Sequence, residues 1–414
     1  MARYYLIWAS GVLLLYLISP ALSYLIFWGL LPKFSLTMVF SAFLVPTIFL
    51  RLLLLLTEQL SLRSRAFALS LVLLVWISVL QFLWYPAIAD EVGSKQIFAT
   101  FAFTLVAAWV TLLGGEAFAY LVALKPRLVR MGILAAYASL GLVVFDGVLR
   151  GLRLHGLLLF AFQDPKSLEV YNYLALSDAL AIVGLLILST REGSGFYGRL
   201  VLYFSTAILL LFAFSRTSFL LFLLIGSAVC YLWSRPERRH RPLKFLVSVS
   251  VLGAAILVIW QAVTLTGEDI LERADVTLKR VTNLLSGEDM SFQMRGVLLK
   301  QGFVLLKEHW LLGHFMIEVL EIGRGAYVHN WLSFWLAYGI GPFLVSLWLM
   351  FSLLVRSWRM RKLTPLGLMA FSLLGFCFLA IALSRSYIWP YIWFALGFTA
   401  TALSFPQGEG QTEL

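Results

Sequence analysis

Thr364–Leu383 reads TPLGLMAFSLLGFCFLAIAL, a stretch with no Asp, Glu, Lys, Arg or His. Wound as a helix at about 1.5 Å per residue, it covers roughly the 30 Å hydrocarbon core of a bilayer. Working outward, the same pattern recurs at Tyr5–Leu30, Ser35–Leu56, Ala66–Tyr85, Ile97–Leu121, Leu128–Phe145, Leu168–Leu188, Gly198–Phe214, Thr217–Trp233, Lys244–Val263, Tyr327–Val355 and Tyr387–Leu403. The 414 residues are 61% hydrophobic and only 13% charged, against roughly half and a quarter in soluble domains. This excludes a soluble domain, and 15% aromatics exclude a disordered chain. The long uninterrupted runs exclude the alternating ten-residue strands of an outer-membrane barrel. The expected fold is all-α, a polytopic membrane protein of about twelve transmembrane helices. The first span is too long, and lacks the small-residue cleavage pattern, to read as a removed signal peptide. Cys230 and Cys377 each lie within an apolar run and read as core residues, not as a disulfide or a metal site.

The net charge of +11 sits mainly between spans, where it reports orientation; no nucleic-acid motif accompanies it. Arg63 and Arg65, Lys125, Arg127 and Arg130, Arg191 and Arg199, Arg235 to Arg241, and Arg356 to Lys362 occupy alternate loops. The positive-inside rule puts these loops and both termini in the cytoplasm. Thr264 to Ala326 then faces outward. It is far longer than the other loops, and Phe292–Glu308 within it has helical apolar spacing. The expected organisation is nine spans over residues 1–263, a large outer loop over 264–326, and three spans with a short cytoplasmic tail over 327–414.

Ionisable groups in or beside membrane spans are costly and mark candidate sites. Arg216 lies in a very short turn at the outer surface, where it either snorkels to headgroups or binds an anion. On a helical wheel Arg295 falls beside Leu299, Gly302 and Leu306, opposite Lys300 and Lys307. It therefore points inward, toward a carboxylate such as Asp178 or a ligand phosphate. His329 opens an apolar segment directly after the long loop. A helix beginning there would disfavour imidazolium and leave a neutral general base, the alternative being an interfacial histidine bonded to backbone. Glu116, Asp146 and Asp178 are intramembrane carboxylates whose competing reading is a proton relay in a secondary transporter. No metal-ligand spacing and no phosphate-binding glycine loop is present.

Ser215-Arg216-Thr217, then Arg295 followed by Lys307-Glu308-His309-Trp310-Leu311-Leu312-Gly313, then His329-Asn330-Trp331-Leu332 with Gly339-Ile340-Gly341, form an order that resembles the O-antigen ligase and polymerase superfamily. The motifs cover roughly Leu200 to Phe351. Trp310 departs from the family's usual proline, and His314-Phe315 stands where Val-Gly is common. The resemblance implies a GT-C-like inner-membrane glycosyltransferase with its active site facing the periplasm and no metal or other cofactor. It implies an undecaprenyl-diphosphate-linked glycan as donor and a lipid A-core or a second glycan as acceptor. His329 would be the base, and Arg216 and Arg295 would hold the diphosphate. Asn330 would orient the imidazole, and Arg150, Arg153 and Arg324 would be further contacts to phosphate or sugar. A ligase is expected ahead of a Wzy-type polymerase. A protein-modifying oligosaccharyltransferase usually carries a larger C-terminal domain than the tail after Ser404.

Overall fold

A computed structural model describes residues 1–57, 64–92, 94–155, 160–161, 171–190, 196–213, 215–233, 290–323, 328–361 and 364–405. Among them there is helix and no strand. The helices are α1 (Ala2–Phe27), α2 (Leu36–Leu56), α3 (Arg65–Val92), α4 (Ser94–Leu124), α5 (Pro126–His155), α6 (Tyr173–Ser189), α7 (Phe196–Phe212), α8 (Arg216–Trp233), α9 (Met290–His309), α10 (Ile317–Glu321), α11 (Leu332–Tyr338), α12 (Ile340–Met360), α13 (Pro365–Leu383) and α14 (Tyr391–Ala402). Seven of these, α1 to α5, α12 and α13, contain spans long and apolar enough to cross a bilayer, and α6, α7, α8 and α14 are shorter apolar helices. The chain is thus a multi-pass helical membrane protein. The expected span Lys244–Val263 lies outside the described residues.

Local chemistry sets the helix starts. Thr364 accepts from the Gly367 N–H at 2.9 Å with Pro365 behind it, and Asn172 accepts from Ala175 N. In α2 only a minority of the span is buried, and Met38, Val45 and Leu56 point outward, as lipid contact requires. Most of α4 and α13 is buried, and α6 is buried from Leu176 to Ser189. These helices form the centre with α14, whose Gly397 would bring a Cβ within 2.2 Å of the Leu112 carbonyl on α4. Only small residues allow backbones this close.

One end of the bundle joins Tyr24 to Asp146, Tyr171 to Pro20, Asp178 to Arg385 and Trp84 to His314. The other joins Ser64 to Ala400, Ser189 to Ser372, Arg356 to Leu403 and Tyr120 to Phe405. This sorts the described loops into the same two groups that the charge pattern separates.

Two expected spans need correction. Tyr327–Val355 is not one helix: α11 stops at Tyr338 and α12 begins at Ile340. Pro342 has no N–H to bond the Tyr338 carbonyl and favours a break here, although Pro20, Pro46 and Pro86 are carried within unbroken helices. Gly339, at φ +78°, takes the break. The last span does not start at Tyr387, because Ser384–Pro390 is non-helical and buried or nearly so, and α14 starts after Pro390.

The break at Gly339 receives the end of the long loop. Leu336 O accepts from His314 N at 2.7 Å, Trp310 O accepts from the Trp335 indole at 2.7 Å, and Ile340 N reaches Trp310 O. Gly313, at φ +67°, lies with its backbone against Gly339, where a Cβ would come within 2.3 Å of Gly339 N. A Cβ on Gly339 would meet Leu311 O at 2.2 Å, whereas one on Gly29, also at positive φ, meets nothing within 4 Å. Gly29→Ala should therefore cost only about 1–2 kcal/mol of backbone strain. Gly339→Ala should cost more than about 3 kcal/mol, since strain and a backbone clash add. Thermal unfolding in detergent measures both, and equal costs would contradict the clasp.

Candidate functional site

The centre of the site is an ion pair built from distant parts of the chain. Arg385, in the non-helical segment between α13 and α14, gives Nε to Asp178 Oδ2 at 2.8 Å and Nη2 to Asp178 Oδ1 at 2.6 Å. Asp178 is on α6, and both side chains are buried. Ser218 Oγ donates to Asp178 Oδ1 at 2.5 Å and the Trp389 indole to Oδ2 at 2.9 Å. The carboxylate thus has four donors, and the guanidinium also reaches Ser384, Ser215 and Ser218. Such mutual satisfaction is what makes an ion pair tolerable away from water.

This hub fixes two of the expected site residues. Ser215 and Ser218, whose hydroxyls lie 2.7 Å apart, bracket Arg216 at the start of α8, so the Arg216 backbone is pinned beside Asp178. Its side chain lies outside the described residues. Two residues beyond Arg385, Tyr387 N donates to Ser333 Oγ at 3.0 Å, and the same hydroxyl donates to Asn330 O at 2.7 Å. The segment carrying His329 and Asn330 is thereby tied to the Arg385 segment.

His329 does not begin a helix. It lies in the non-helical stretch before α11, where Asn330 Oδ1 accepts from Leu332 N at 2.9 Å ahead of the helix start at Leu332. The ring is nevertheless neutral, for a different reason than the expected helix dipole. Burial pushes its pKa down to about 4, and the nearby cations of Arg295 and then Arg385 add to this against a backbone hydrogen bond at Ser384. The structure therefore brings His329, Arg295 and Arg385 into one electrostatic neighbourhood. Arg295 sits on the inward face of α9 as its spacing predicted, with Leu298, Gly302 and Leu306 buried and Lys300 and Lys307 exposed. Asp178, one expected partner for Arg295, has its oxygens occupied by Arg385, Ser218 and Trp389.

Other expected residues lie elsewhere. Asn330 has a local role, its Oδ1 accepting from the Leu332 N–H just before α11. Arg150 and Arg153 are in the last turns of α5, where Arg150 donates to Asp146 at 2.6 Å and its guanidinium lies 4.7 Å from the Trp28 ring. Arg324 lies outside the described residues. Glu116 is bound bidentately by Arg51 at 2.7 and 2.8 Å with Tyr5 at 3.0 Å, and Asp146 is held by Arg150 and Tyr24. Each intramembrane carboxylate is thus locked into its own polar cluster, which does not suit a mobile proton relay.

Arg385 was missed as a site residue, since it reads as the sole cation of a short outer loop. The available signal was its place between two spans with no carboxylate near it in sequence, which calls for a partner from another helix. Arg385→Ala should cost about 3–5 kcal/mol by stranding Asp178, and Asp178→Leu with Arg385→Met should recover most of that loss. Unfolding of the single and double variants in detergent checks this, and a double variant no more stable than the single would contradict it.

The comparisons agree with the resemblance read from the sequence. The model of the O-antigen ligase family matches residues 200–343, so this part of the chain is similar to proteins of the O-antigen ligase and polymerase type. It contains Arg216, Arg295, His329, Asn330 and the Gly313–Gly339 clasp. No curated protein matches the chain.

Proposed function

We propose that this chain is an inner-membrane glycosyltransferase that moves a glycan from undecaprenyl diphosphate to a lipid A-core acceptor at the periplasmic face, the O-antigen ligase reaction of lipopolysaccharide assembly. The observation that carries this reading is a half-buried neutral histidine, inside the region that matches the ligase family, within the electrostatic reach of the Arg295 and Arg385 guanidinium groups. In the proposed step the acceptor hydroxyl attacks the anomeric carbon. Its proton passes to His329, the bond from that carbon to the diphosphate oxygen breaks, and undecaprenyl diphosphate leaves with the electron pair.

Arg295 and Arg216 bind the diphosphate through planar cationic donors, which supply the charge stabilisation that a metal provides in other transferases. Arg385, saturated by Asp178 and three serines, is a positioning residue that contributes its field. Arg295 comes from α9, within the stretch 264–326 that we assign to the outer loop. Arg153 is assigned to the approach of glycan or phosphate, as is Arg324, whereas Arg150 is held by Asp146.

The electrostatics give the base a dependence on donor. With the site empty, Arg295 and Arg385 oppose protonation of His329. A bound diphosphate offsets both cations, raising the imidazole toward its ordinary value and making it a stronger base when the leaving group is in place. The pH at which protonation of His329 abolishes activity should therefore be higher in kcat, which reports the donor complex, than in kcat/KM, where it should lie near 4. Coincident acid limbs would show that the two cations do not face the donor.

The direct test offers purified protein a lipid-linked glycan with and without lipid A-core. Product that requires the core, is lost in His329→Ala and survives EDTA supports the ligase. Longer lipid-linked chains without core would identify a Wzy-type polymerase instead, and full activity of His329→Ala would remove the base. Arg295→Ala should lower the rate by about 10²–10³.

A further inference from the structure

Glu318 is an acid where the chain calls for none. It lies on α10 within the run Phe315-Met316-Ile317-Glu318-Val319-Leu320, where every other side chain is apolar, and it is fully buried. Its Oε2 has no hydrogen-bond partner among the described residues. A buried carboxyl oxygen left bare costs on the order of 1–3 kcal/mol, and an apolar residue of similar size would be more stable there. Stability does not account for the residue.

What Glu318 does hold is backbone. Its Oε1 accepts from the Val328 N–H at 2.9 Å, and Val328 is the residue before His329. Val328 is itself almost fully buried, with Leu306 of α9, Ile317 of α10 and Leu336 of α11 in one small apolar cluster. The α9 glycine Gly302 faces the Val328 side chain closely enough that a Cβ would sit 2.6 Å from it. The Val328 side chain is thus enclosed by the loop helices, and its N–H has turned from water to the Glu318 carboxyl. The turn that aims α10 this way includes Met316 at φ +62°, the one non-glycine residue with positive φ among those described. Backbone held in a sparsely populated conformation needs surroundings that enforce it, and such positions gather at working sites.

We propose that Glu318 is a positioning residue: by accepting the Val328 N–H it fixes the backbone that carries His329. The role in catalysis rests on the reaction proposed above, whereas the backbone clasp stands on the geometry alone. Burial raises the Glu318 pKa to about 8, so the side chain is a neutral acid at pH 7. Glutamine offers the same carbonyl acceptor at the same reach without charge, and leucine offers the volume without the acceptor.

The experiment compares wild type, Glu318→Gln and Glu318→Leu in two readouts. In hydrogen–deuterium exchange of the purified protein, the peptide containing Val328 and His329 should exchange faster in Glu318→Leu and at the wild-type rate in Glu318→Gln. In glycosyl transfer, Glu318→Leu should lose about 10²-fold in kcat, the size expected when a catalytic group is displaced by about 1 Å. Its KM for the lipid-linked donor should change less than about threefold, because the arginines that bind the diphosphate are untouched. Glu318→Gln should stay within about threefold of wild type in both constants. Wild-type exchange and kcat in Glu318→Leu would overturn the proposal, and so would a Glu318→Gln variant as impaired as Glu318→Leu. The exchange readout decides the clasp even if wild type transfers no glycan, an outcome that would sink the proposed reaction and not the clasp.

Discussion

A carboxylate and a guanidinium buried among apolar helices can persist only if their polar atoms are satisfied, and Asp178 accepts two hydrogen bonds from Arg385 and one each from Ser218 and Trp389. The pair joins α6, the start of α8 and the segment between α13 and α14. A buried ion pair is a weak source of net stability against an apolar replacement. Its effect here is to leave those three segments few alternative arrangements. The serines that complete the hub flank Arg216, and the backbone two residues past Arg385 is bonded to the Ser333 hydroxyl, which also caps onto Asn330. The candidate base and the first candidate phosphate-binding arginine are positioned from one polar centre.

The second arginine arrives by a different route. Arg295 is carried by α9, whose C-terminal end is fastened to the break between α11 and α12 by backbone hydrogen bonds and by two glycines in close contact. A membrane helix interrupted in this way exposes backbone groups that lipid cannot satisfy, and here the loop satisfies them. The same interruption ends α11 about two turns after the polar stretch His329-Asn330. A continuous span would have placed those residues in a regular helix; the broken one presents His329 from an irregular segment within reach of the fields of Arg295 and Arg385.

Much of the architecture was legible in the sequence because lipid imposes a simple rule of length and apolarity. Seven of the spans, the helix Met290–His309 and the inward face of Arg295 follow from spacing. The break at Gly339 was hidden by the apolar character of the residues on both sides, although Pro342 recorded it. Arg385 and Glu318 were harder, since each is a single charged residue in an apolar or sparsely charged context, and its partner comes from another part of the chain: Asp178 is 207 positions from Arg385, and Val328 is 10 from Glu318. The neutrality of His329 was expected from a helix dipole and arises instead from burial and neighbouring cations, a tertiary cause that local pattern does not encode.

The central claim is that the leaving diphosphate sits against Arg216 and Arg295 with the sugar it carries facing His329. The most direct measurement is a cryo-electron microscopy structure of the protein with undecaprenyl diphosphate bound. The account predicts diphosphate density within hydrogen-bonding distance of Arg295 and Arg216, with its terminal phosphate directed toward the His329 ring and the Asp178–Arg385 pair intact. Density for the diphosphate elsewhere on the protein, or within the site but turned away from both arginines, would contradict it.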